Sequence, residues 1–120
     1  MRTEHPKRVA VTGLGLVTPI GNDVEQSWAN ITGGKSGVGQ ITRFDAQGLK
    51  TTIAAEVKGF NAEEYLDRKN VRRYELFIQY AVAAAKQAVK DSAIDLSKIL
   101  AGCSLGCGLG GLKTMEDNHA

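Results

Sequence analysis

The chain has 120 residues, a net charge of +2, 42% hydrophobic residues and 23% charged ones, an ordinary balance for a globular protein and a length that allows one domain. So small a charge, with no Lys/Arg-rich run interleaved with aromatics, excludes nucleic acid as the expected partner. No apolar window approaches the length of a membrane span, and the start MRTEHPKR lacks the apolar region of a secretory signal, so a cytoplasmic protein with no membrane partner is expected.

Residues 8–21 read RVAVTGLGLVTPIG. The unbroken apolar run from Val9 to Val11 predicts a strand buried on both faces, which Pro19 ends. Asn22 followed by Glu25 makes a capping-box-like start. It predicts a short helix with Val24, Trp28 and Ile31 on its buried face and Gly33-Gly34 as its stop. Residues 35–40 are rich in turn formers, and residues 41–45 carry no pattern that assigns them. Ile53, Ala55 and Val57 alternate with Thr52, Ala54, Glu56 and Lys58, which predicts a half-exposed strand. Asn61 with Glu64 repeats the capping signal ahead of a short helical turn.

Residues 67–91 contain no Gly and no Pro and form the longest helical pattern in the chain. Val71, Tyr74, Ile78, Ala81, Ala85 and Ala88 make one apolar stripe, which Phe77, Val82, Ala84 and Val89 widen. A helix apolar around most of its circumference must be covered on several sides, and its alanines let neighbours come close. Arg68, Lys69, Arg72 and Arg73 crowd its predicted first turns, where the positive end of the macrodipole repels cations. Either an anionic partner accounts for them, or Glu63, Glu64, Asp67 and Glu75 neutralise them locally.

Asp95 is a candidate cap for residues 96–100, and residues 101–106 predict a second buried strand. The order strand, helix, strand, long helix, strand is an α/β pattern. Cys103 and Cys107, if they share a strand, lie about 13 Å apart, too far for a disulfide, and read as free thiols serving as small buried hydrophobes. Gly106, Gly108 and Gly111 satisfy G-x-G-x-x-G after a predicted strand, but the chain ends before the supporting acidic residue could appear. Gly34-Lys35-Ser36 imitates a phosphate loop yet ends a helix instead of opening one. His5 sits in a tail and His119 next to the last residue, so no nucleophile, base and oxyanion site come together and no metal site is expected.

The opening RVAVTGLGLVTPIG, residues 28–37 ending Gly-Lys-Ser-Gly, Arg43-Phe44-Asp45, EVKGFN at 56–61, the basic positions of residues 68–73, and LGCGLGGL followed by Glu116-Asp117-Asn118-His119 form an ordered set. In order and spacing they resemble the N-terminal part of β-ketoacyl-acyl carrier protein synthases, most of all the type II enzymes of dissociated fatty acid synthesis. The resemblance implies a thiolase-like fold of layered α/β/α/β/α type, incomplete in this chain, with residues 1–120 a partial domain of an enzyme that is a homodimer when complete. It implies a decarboxylative Claisen condensation of malonyl-carrier with an acyl-enzyme thioester and no cofactor.

In that family the nucleophilic cysteine and both catalytic histidines lie beyond the matched region. The resemblance therefore implies no catalytic residue in this chain, which alone is expected to be inactive, and Cys107 is not the nucleophile. Lys69, Arg72 and Arg73 match positions that dock the acyl carrier protein, and Leu109 matches an apolar position between glycines that lines the acyl pocket. An incomplete layer would leave apolar faces uncovered, notably around Ile78 and Val82. Two rival readings are a small nucleotide-binding domain using residues 106–111 and a free-standing module that only holds the carrier protein.

Overall fold

Capping chemistry sets where the helices begin. A computed structural model describes residues 8–119, in which α1 (Val24–Thr32), β1 (Val38–Gln40), β2 (Ile53–Ala55), α2 (Arg68–Arg73), α3 (Leu76–Ser92) and α4 (Leu112–His119) follow in chain order. Short 3₁₀ turns at Ala62–Glu64 and Leu96–Lys98 begin at Asn61 and Asp95, whose side chains accept from the amides of Glu63 and Ser97. Both starts are where the sequence places them. At α1 the cap is Asp23, one residue later than expected, because its carboxylate accepts from Gln26 N at 2.7 Å while Asn22 is drawn toward Lys58 O. Gly33 caps the other end of α1.

The expected single helix over residues 67–91 is two helices. Tyr74 and Glu75 are both extended, with ψ of 135° and 161°, although neither is a helix breaker. β2 lies within the predicted strand, and its partner is β1, in a stretch whose composition suggested only turns. The two are antiparallel, with Val38 opposite Ala55 and Gln40 opposite Ile53.

The strands expected around residues 9–11 and over residues 101–106 are not formed as strands among the described residues. A strand is stable only when its backbone groups find a neighbour, and neither segment has one. Residues 13–16 lie across α3 instead: Leu14 N donates to Asp91 Oδ2 at 2.8 Å and Leu16 N to Gln87 Oε1 at 3.1 Å. The alanines of α3 and two glycines make this approach possible. A methyl at Gly13 would overlap the carbonyl oxygen of Ala88, and one at Gly15 that of Ala84. Gln87 gathers three parts of the chain, since its Nε2 also donates to Asn22 O at 2.7 Å and Tyr65 Oη at 3.1 Å. Phe60 stacks on Tyr65 and meets Tyr80 edge-on at 4.9 Å, joining the loop before α2 to α3.

The buried apolar interior is thin. Among the described residues, the buried hydrophobic side chains are Ala62 and Ala83. Trp28, expected on a buried face, is 69% exposed, and Val9 is 94% exposed. Cys103 and Cys107 are free, as expected, but exposed where burial was expected. The radius of gyration is 18.4 Å, against about 14 Å for a compact chain of this length. The accessible surface of 10244 Å² compares with about 6,300 Å² for a compact monomer of this mass. Ile78 and Val82 are half-buried, and the large apolar side chains with the highest fractional exposure are instead Leu100, Val9, Val11 and Leu109.

Exposed apolar area of this extent is a binding surface for hydrophobic probes. The isolated chain is expected to raise anilinonaphthalene sulfonate fluorescence several-fold in buffer without denaturant. A sharp melt of a monomer that takes up no dye would contradict this.

Candidate functional site

α2 carries the basic residues. Asp67 caps it, accepting from Asn70 N at 2.8 Å, and Arg68 pairs with Glu63 at 3.3 Å across exposed surface, a geometry worth little stability. Among the described residues, the ion pairs are this one, Lys98 with Asp95 and Lys113 with Asp117. Lys69, Arg72 and Arg73 are exposed and take part in none of them. The carboxylates that could have neutralised them are engaged elsewhere: Glu64 accepts from Asn61 and Glu75 from the amide of Thr114.

The short length of α2 changes its electrostatics. Arg72 and Arg73 stand in its last turn, where the negative end of the helix dipole favours cations. The expected clash between the basic cluster and a helix start therefore reduces to Arg68 and Lys69, which follow the carboxylate of Asp67. The basic face is compatible with its helix, and helix electrostatics alone do not demand an anion.

The corner between α2 and α3 faces α4. Glu75 leaves its own helix uncapped, and its Oε1 accepts from Thr114 N at 3.2 Å in the first turn of α4. A cleft of about 570 Å³ lies between them, lined by Arg43, Tyr74, Phe77, Gln79, Leu109 and Leu112 among others. Leu109 is 75% exposed at its rim. Gly110 lies against the ring of Phe77, where a Cβ would come within 2.7 Å of Cζ. Arg43 Nη2 donates to Tyr80 Oη at 2.9 Å. The structure thus brings Leu109 to a cleft beside the basic helix. The helix α4 that forms the far wall carried no start signal in the sequence, because its cap comes from 39 residues away.

The glycines at 106, 108 and 111 do precede a helix, as a dinucleotide loop would. The first turn of that helix is already occupied by the Glu75 carboxylate, which repels the phosphate such a loop exists to hold. Among the described residues, no strand leads into the loop. Among the described residues, no three His, Cys, Asp or Glu side chains gather in a way that could hold a metal ion. His5 lies outside the described residues, and His119 ends α4.

The family model for the β-ketoacyl synthase N-terminal domain matches residues 6–120. This chain belongs to the β-ketoacyl synthase family. It is 43% identical to 3-oxoacyl-[acyl-carrier-protein] synthase 2 of Staphylococcus aureus (strain COL), over 94% of this chain and 28% of that protein. It is 44% identical to the protein of the same name from Synechocystis sp. (strain ATCC 27184 / PCC 6803 / Kazusa), over 99% and 29%. The ishigamide ketosynthase/chain length factor structure superposes with a TM-score of 0.66 at 35% identity, over 74% of this chain and 22% of that one. The fold is therefore that of the N-terminal portion of a thiolase-like ketosynthase. The chain spans somewhat over a quarter of the length of the curated relatives it matches. Among the described residues of this ketoacyl synthase domain, no helix is long and apolar enough to cross a membrane.

A local electrostatic feature holds the end of the β1–β2 ribbon near Arg43. Glu56 accepts from Thr42 Oγ1 at 2.7 Å and from the amides of Thr42 and Arg43. The hydroxyl bond of Thr42, opposed by partial desolvation and helped by the two amides and the Arg43 charge, holds its carboxyl below the usual range. The folded-state value is depressed, so this anchoring is present above the ordinary carboxylate pKa and is lost as pH falls through the lower folded value. The Thr42 amide resonance is expected to titrate with a midpoint below that of a free glutamate. A midpoint at or above the free value would contradict the geometry.

Proposed function

We propose that this chain is the N-terminal part of a condensing enzyme that joins malonyl-acyl carrier protein to an acyl-enzyme thioester by decarboxylative Claisen condensation, in fatty acid elongation. Supporting this is the match of nearly the whole chain to relatives named 3-oxoacyl-[acyl-carrier-protein] synthase 2. The chain contributes binding surface to the reaction, and residues 1–120 are a partial domain. Lys69, Arg72 and Arg73 dock the acidic carrier protein: they are exposed, free of ion pairs among the described residues and carried by the helix whose cap, Tyr74, lines the cleft. Leu109 lines the acyl pocket at that cleft, and the glycines around it let the backbone come close to an acyl chain. The complete enzyme works in the cytoplasm as a homodimer and requires no cofactor.

The test is condensation itself, measured as 3-oxoacyl product from acyl- and malonyl-carrier protein. The chain alone is expected to give none. Supplied in trans with the remaining part of a synthase 2 relative, it is expected to give product. Product from the chain alone, or none from a complex that does assemble, would contradict the proposal.

A further inference from the structure

Of the carbonyls that the break between α2 and α3 leaves without a backbone partner, one side chain takes two. Gln79 is 7% exposed, a polar residue on the buried side of α3 one turn before Ala83. Burying an amide is costly unless its hydrogen bonds are made. Its Nε2 donates to Val71 O at 3.0 Å and to Tyr74 O at 2.6 Å. Val71 belongs to α2 and Tyr74 is its C-cap, and neither carbonyl accepts a backbone N–H across the break.

Little else holds α2 in place. None of its residues is buried, and its one ion pair among the described residues is exposed. We infer that Gln79 is a positioning residue for carrier docking: by clamping the end of α2 to the buried side of α3, it fixes where Lys69, Arg72 and Arg73 stand relative to the cleft that Leu109 borders. This rests on the docking reading of the basic face. Gln79 itself makes no contact with the carrier protein.

The test uses the full chain and purified acyl carrier protein, with affinity read by calorimetry and α2 mobility by residue-resolved amide exchange. Gln79→Met keeps the volume and removes the donor. It is expected to weaken carrier binding five- to tenfold and to speed exchange at residues 70–74, leaving residues 81–88 of α3 unchanged. Unchanged affinity, or exchange accelerated along the whole of α3, would overturn the inference, the latter marking a merely structural amide.

Should the variant not fold, the unsubstituted chain decides. On titration with carrier protein, the Gln79 side-chain amide resonances are expected to shift together with those of Arg72 and Arg73, and static Gln79 resonances would overturn the inference. Arg72→Glu/Arg73→Glu run alongside separates the two ideas. If that reversal leaves affinity intact, the docking reading fails, whereas an effect of the reversal without an effect of Gln79→Met defeats only the clamp.

Discussion

Reversing both charges at the end of α2, Arg72→Glu with Arg73→Glu, is expected to weaken binding of acyl carrier protein by roughly thirtyfold or more at low salt. Each reversal turns an attraction into a repulsion, and for exposed charges near contact that is about 1 kcal/mol or somewhat more per site. The loss should appear mainly in the association rate and shrink as salt rises, because exposed charges are screened within about 10 Å at 0.1 M. Neither arginine makes an ion pair among the described residues, so the stability cost should be limited to the loss of favourable cations at the end of α2, about 0.3–1 kcal/mol per site before screening. Calorimetric titration at two salt concentrations checks this. An affinity that ignores the reversal would remove the basic face from the account.

Gly15→Ala should cost about 3 kcal/mol of stability. The new methyl would overlap the Ala84 carbonyl oxygen and lie 2.8 Å from Ala88 N, so residues 13–16 must lift off α3. Overpacking of this kind costs about 1–3 kcal/mol, and the bonds from Leu14 and Leu16 to α3 are forfeited at about 1 kcal/mol each. Gly102→Ala is the control, because nothing lies within 4 Å of its added Cβ. Urea unfolding of the two variants beside the parent makes the comparison, and a Gly15→Ala midpoint equal to that of Gly102→Ala would contradict the close approach.

What could be read in advance was local. Asn61, Asp95 and Gly33 announce helix ends because their partners lie within four residues of them. The break at Tyr74-Glu75 could not be read that way. It is sustained by Gln79 reaching back to two carbonyls and by Glu75 bonding the amide of Thr114, and neither leaves a Gly or Pro in the sequence. The same bond explains why α4 was missed.

Apolar runs told which residues need cover, not whether cover is present. Val9, Val11 and Leu105 have the composition of buried strands, yet they stand exposed because no neighbouring strand reaches them. For the basic face, the charges were legible but their helix electrostatics were misread, since Arg72 and Arg73 close a short helix and do not open a long one. The docking role proposed for Lys69, Arg72 and Arg73, and the acyl-pocket role proposed for Leu109, come from resemblance. The geometry adds a shared corner that links the two.

The central claim is that this chain presents an interior surface which the rest of a synthase must cover. Amide exchange at residues 9–11 and 101–106, with and without the remaining part of a synthase 2 relative, measures it directly. Those amides should exchange freely in the chain alone and become protected by at least a hundredfold in the mixture. Protection already present in the chain alone, unchanged by the added protein, would contradict the account.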